Sequence, residues 1–120
     1  MKKKNIINEN YLEKCPVISD SIAWTLENDG LVTISIENKG IFNKLAQKLL
    51  KKPKISYVHL DEFGSCVWQL IDGQRNIIKI GELFLEKFGD KANPLYERLA
   101  KYFQILDSYG FIKYIEKEKF

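Results

Sequence analysis

Arginine is almost missing from this chain. Only Arg75 and Arg98 stand among its nineteen basic residues, and arginine is the side chain whose planar fork best matches phosphates and guanine edges. The net charge of +3 is also weak for a sequence-reading nucleic-acid binder. Cysteine is scarce: Cys15 and Cys66 show no metal-ligand spacing. No apolar signal segment follows the basic start "MKKKNIINEN", so reduced thiols in a cytoplasmic protein are expected. His59 is the one histidine. A catalytic base needs a nucleophile, an acid or an orienting partner, and the sequence offers His59 none. The "DGQ" at 72–74 has a single glycine, which makes a turn rather than a phosphate cradle. No run of about eighteen apolar residues is present, so nothing is expected to span a membrane. These absences leave no visible nucleophile, metal cluster or cofactor loop; the expectation is a non-enzymatic protein that uses no cofactor.

What is present is patterned. At 120 residues the chain has the length of one domain. Residues 1–20 are polar, interrupted by Pro16, and read as a flexible arm docked through Tyr11 and Leu12, with Cys15-Pro16 as loop. "IAWTLENDGLVTISIE" alternates as a hairpin: Ile22, Trp24 and Leu26, then Val32, Ile34 and Ile36, around a turn at Asp29-Gly30. "GIFNKLAQKLLKKP" has helical spacing at Ile41, Phe42, Leu45, Leu49 and Leu50, ended by Pro53. "ISYVHL" is a third strand whose two faces are both mixed, so periodicity does not show which is inward.

Three helices follow. Asp61 caps the first, with Phe63, Val67, Leu70 and Ile71 on one face up to Asp72-Gly73. Asn76 caps the second, which carries Ile77, Ile80 and Phe84 and stops at Gly89. Asn93-Pro94 opens the third, with Leu95, Leu99, Phe103 and Leu106 as its stripe and Gly110 as its end. "FIKYI" reads as a short closing strand, and residues 116–120 as a charged, frayed tail. The predicted fold is α+β and winged-helix-like: a three-stranded antiparallel sheet on a three-helix bundle, with one extra inserted helix. Residues 21–115 form that single domain.

The ordered set "HLDEFGSCVWQLIDGQRNIIKIGELFLEKFG" followed by a helix ending in "ILDSYGFI" resembles the PqqD family. These are pyrroloquinoline quinone biosynthesis protein D-like domains, also known as peptide-recognition elements of ribosomally made, modified peptides. The resemblance covers about residues 55–112, and the helix at 41–52 looks like an insertion relative to the shortest members. It implies a non-catalytic chaperone. Such a domain binds the leader segment of a precursor peptide as an added strand and presents it to a modifying enzyme, often a radical S-adenosylmethionine enzyme. Carried onto this sequence, the leader lies in a cleft. One wall is Ser56, Tyr57, Val58, His59 and Leu60; the other is Leu95, Tyr96, Leu99, Tyr102 and Phe103. An exposed edge strand supports the same idea on physical grounds, because its unpaired N–H and C=O groups pair readily with an extended peptide.

Other candidates have plainer explanations. Asp61-Glu62 sit where a helix start favours acids. Cys66 lies beside Val67 and Trp68 and reads as an inert thiol. Lys44, Lys48, Lys51 and Lys52 line the polar side of the inserted helix; a solvated face explains them, and a docking face for an acidic partner or leader is the functional alternative. A strand-paired homodimer is open to any chain with an uncovered edge. The competing function is a winged-helix DNA-binding regulator with helix 94–109 in the major groove. That helix offers Glu97, Arg98, Lys101, Gln104, Asp107 and Ser108, two acids against two bases, where phosphate binding needs excess positive charge.

Overall fold

A computed structural model describes residues 9–38 and 54–115. The elements are a single helical turn (Glu9–Leu12), β1 (Cys15–Ile18), β2 (Ala23–Leu26), β3 (Val32–Asn38), β4 (Lys54–His59), α1 (Glu62–Leu70), α2 (Ile77–Phe88), a 3-10 turn (Gly89–Ala92), α3 (Leu95–Ser108) and β5 (Ile112–Ile115). The segment 41–52, where the sequence predicts an inserted helix with four lysines, lies outside the described residues, as do residues 1–8 and the tail. The chain divides into two compact units, Asp20–Ser65 and a second built from Met1–Ser19 with Cys66–Phe120. The fold is mixed α+β, as expected, with two antiparallel sheets where the sequence predicted one.

In the Asp20–Ser65 unit the sheet order is β2-β3-β4, with β3 central and both neighbours antiparallel. The hairpin turn is set by Asn28-Asp29-Gly30. Gly30 N–H donates to Glu27 C=O and Glu27 N–H to Leu31 C=O, both at 2.9 Å, the three-residue loop with a bulged glycine. Register then resolves the strand faces. Trp24, Ile34 and Val58 stand in one cross-strand row, and Ala23, Ser35 and Tyr57 in the next. Val32 and Ile34 are fully buried, so Val58 shares the inward face of the sheet, and Ile55, Tyr57 and His59 share the outward one. β2 departs from expectation. Trp24 and Leu26 lie on the same face as Ile34 and Val32, yet both are exposed.

In the other unit the caps form largely as the sequence predicts. The unit boundary falls within α1, whose Asp61 carboxylate accepts from Gly64 N–H at 2.7 Å. Asn76 accepts from Lys79 N–H at 2.8 Å. At the end of α3, Phe111 N–H reaches Leu106 C=O and Gly110 N–H reaches Asp107 C=O, the paired bonds of a Schellman stop. The start of α3 differs: Pro94 occupies the N-cap position without a side-chain cap bond, and a cis peptide bond joins Asn93 to it.

The polar arm is also corrected in part. Cys15–Ile18 is a strand that pairs with β5, in the register Cys15↔Ile115 to Ile18↔Ile112. Its apolar residues sit among polar neighbours, so only the partner strand, nearly a hundred residues away, reveals it. Cys15 is buried rather than in a loop. Around this ribbon Lys14 Nζ lies 5.6 Å from the Tyr11 ring centre and 4.9 Å from that of Tyr114. Tyr11 Oη donates to Ala100 C=O at 3.3 Å. Burial pushes both phenols up.

Two predictions arise here. A methyl built on Gly81 in α2 would stand 2.9 Å from Leu99 Cδ1 and 3.1 Å from Tyr96 Cε1 of α3. Gly81→Ala gains helix propensity of about 1 kcal/mol, but Leu99 is buried and has little room to move. Overpacking at about 1–3 kcal/mol should therefore win, and the urea midpoint should fall. A raised midpoint would show that α3 yields freely. The second concerns acid. Backbone N–H groups of Arg75 and then Gln74 donate to the Asp72 carboxylate at 2.9 Å each and hold its carboxyl below the usual range, with the Arg75 charge as a lesser cause. A pKa depressed by folding contributes stability above the unfolded value and loses it as pH falls through the folded one. Below about pH 4 the wild type should thus lose slightly more stability than Asp72→Asn. Asp72 is exposed, so the difference is small. Parallel melts down to low pH check it; superimposable curves would refute it.

Candidate functional site

The candidate site is β4, and its chemistry follows from which backbone groups are already used. Leu60 N–H donates to Val32 C=O at 2.9 Å. The reciprocal bond is bridged by Ser65, whose hydroxyl accepts from Val32 N–H at 2.8 Å and donates to Leu60 C=O at 3.3 Å. Leu60 and Val32 are therefore a bonded pair. In an antiparallel ladder bonded pairs recur every second residue, so Val58–Ile34 and Ser56–Ile36 are bonded pairs as well. The β2–β3 side agrees independently. The Glu27–Leu31 bond assigns Thr33 and Ser35 to β2, which leaves Ile34 and Ile36 to β4. It follows that Ile55, Tyr57 and His59 aim their N–H and C=O groups away from β3. Among the described residues no strand pairs with that side of β4.

The side chains of these three residues lie on the outward face. Tyr57 is 59% exposed and Ile55 48%, while its cross-strand neighbours Ser35 and Ala23 are too small to cover the Tyr57 ring. His59 Nδ1 lies 3.1 Å from Thr33 Oγ1, so its ring is held over β3. Ser56, Val58 and Leu60 are half-buried on the inward face.

The predicted α3 residues do not stand alike. Leu95, Leu99 and Phe103 are buried and serve the packing of their own unit. Tyr96 is half-buried on the flank that meets α2 near Gly81. Tyr102 is half-buried on the opposite flank. At about 100° per residue, Ile105 and Tyr109 continue the Tyr102 flank, and Tyr109 is 69% exposed. The sequence reading missed this second stripe, which the spacing 98, 102, 105, 109 carries. Cys66 is half-buried, and burial pushes its thiol up, only partly opposed by Lys87. No group of three metal-ligating side chains exists among the described residues, and no described helix is long and apolar enough to cross a membrane.

Both arginines are engaged in local structure. Arg75 donates to Leu70 C=O at 3.0 Å and pairs with Asp72 at 3.3 Å; Arg98 donates to Lys91 C=O at 2.7 Å.

Comparison with known families gives one match. The family described as coenzyme PQQ synthesis protein D (PqqD) matches residues 46–112, more than half of the chain. The match takes in β4, α1, α2, α3 and the first residue of β5, and it begins inside the segment 41–52 read as an insertion. Neither the curated proteins nor the solved structures gave a significant match.

Proposed function

Because the chain belongs to the PqqD family, matched over residues 46–112, we propose that it is a non-catalytic peptide-binding accessory protein of ribosomally made, modified peptides. It binds the leader segment of a precursor peptide by strand addition to β4 and presents it to a modifying enzyme, of the radical S-adenosylmethionine class. The observation that carries this reading is the unpaired side of β4 among the described residues, with the backbone groups of Ile55, Tyr57 and His59 directed outward. Main-chain pairing supplies affinity in this mode and alternate side chains supply selectivity. Among the described residues no strand pairs with the outer side of β2 either, but the family match covers β4 and not β2. The α3 residues Leu95, Tyr96, Leu99, Tyr102 and Phe103 enter the proposal from the family resemblance alone. A docking face for an acidic partner surface or acidic leader at Lys44, Lys48, Lys51 and Lys52, for which a solvated face is the plainer explanation, a strand-paired homodimer and a cytoplasmic location accompany the proposal.

Calorimetry tests it, with the leader segment of any short peptide found encoded beside this chain's gene. Binding of one leader, lost when its sequence is scrambled, is expected. Failure of every such leader to bind would remove the proposal. The DNA-binding alternative is separated by titration against a random duplex library at physiological salt. The neutral outer face of α3 and the two engaged arginines lead to the expectation of weak, salt-sensitive attraction only. Nanomolar enrichment of one duplex sequence would reverse the assignment.

A further inference from the structure

An added strand does more than satisfy the β4 backbone. It must also lay its own side chains beside those of Ile55 and Tyr57. These are the residues with outward N–H and C=O groups, and they are also the exposed apolar residues of the strand's outward face. Any chain hydrogen-bonded to them therefore places alternate side chains in the same row, about 4.5–5.5 Å away between Cβ atoms. On the inner side the Tyr57 row is poorly filled, since Tyr57 faces Ser35 and Ala23, whereas Ile55 stands at the register position opposite Glu37. At the end of the strand His59 is already committed to Thr33. Among the described residues the exposed apolar surface of Ile55 and Tyr57 is thus a two-residue shelf open toward the incoming strand.

We infer that the bound peptide is selected on this outward face, by apolar or aromatic residues at two positions spaced i and i+2 that pair with Ile55 and Tyr57. This rests on the strand-addition reading and deepens it by naming the ligand chemistry: an extended segment whose outward alternate residues are apolar. Tyr57 and Ile55 are then specificity-determining residues. Their exposure lets them be exchanged for threonine, a good strand former, without touching the bonded row of Ser56 and Val58.

The probe is a displayed library of random twelve-residue peptides, selected in parallel on the wild type and on Tyr57→Thr. Wild-type selection should enrich aromatic or branched aliphatic residues at two positions two apart. Those peptides should bind Tyr57→Thr or Ile55→Thr roughly two- to fivefold more weakly. Threonine at either enriched peptide position should weaken binding to the wild type by a similar factor, a change that cannot disturb the protein. Amide exchange should show bound-state protection at Ile55, Tyr57 and His59. If those amides are protected and all the threonine changes leave affinity within error, strand addition stands and the outward-face selection is wrong. If no selected peptide protects them, strand addition to β4 is wrong and the selection falls with it.

Discussion

Val58→Pro should unfold the domain or bring it close to unfolding, while Tyr57→Pro should leave it folded and weaken only peptide binding. The two positions are adjacent, and the contrast rests on the ladder alone. Val58 N–H belongs to a bonded pair with Ile34, by alternation from the Leu60–Val32 bond. Proline there removes the donor and strands the carbonyl of a fully buried residue. A buried unsatisfied acceptor together with the lost bond costs about 3 kcal/mol, a large share of the stability of a small domain. Tyr57 N–H points away from β3, where an edge strand tolerates proline, and its side chain is mostly exposed. The folded protein then lacks one outward donor. Peptide affinity should drop at least about three- to tenfold, the equivalent of one net hydrogen bond, with loss of the Tyr57 ring adding to it. Thermal melts of both variants and calorimetry of Tyr57→Pro with a leader that binds the wild type provide the check. Equal melting of the two variants would show that the alternation is misassigned. Unaltered affinity in a folded Tyr57→Pro would show that the peptide does not pair with this side of β4.

The second large effect is expected at Gly73→Val. Gly73 follows the Asp72 cap in the turn between α1 and α2, with φ at +78°. A β-branched residue in that region costs about 1–2 kcal/mol from backbone sterics. The surroundings add to it. A Cβ there would lie 3.5 Å from Val17 Cγ2 and 3.6 Å from Ile115 Cδ1. That leaves room for the Cβ but not for two further methyls, so overpacking contributes about 1 kcal/mol or more. The variant should lose about 2–3 kcal/mol in urea unfolding. Gly73→Asn should lose less, because asparagine enters the left-handed region more readily. An unchanged midpoint for the valine variant would contradict the turn geometry.

The sequence alone determined the elements whose signals are local. Helical spacing fixed α1, α2 and α3, and short polar side chains beside those stripes marked the caps at Asp61 and Asn76. The Asp29-Gly30 pair fixed the hairpin turn, and the motif set over the second half pointed to the family that matches residues 46–112. Three matters were settled only by tertiary structure, each because it depends on a distant partner. The strand β1 is defined by pairing with β5 across the whole chain, and four residues containing a proline carry no period of their own. The inward face of β4 was undecidable from "ISYVHL", whose two faces are equally mixed; register against the buried Ile34 decided it. The buried stripe of α3, Leu95, Leu99, Phe103 and Leu106, was legible in its spacing, but what covers its flanks was not, since Tyr96 and Tyr102 flank that stripe symmetrically. The close approach at Gly81 commits the Tyr96 flank to α2, and leaves Ile105 and Tyr109 exposed on the other.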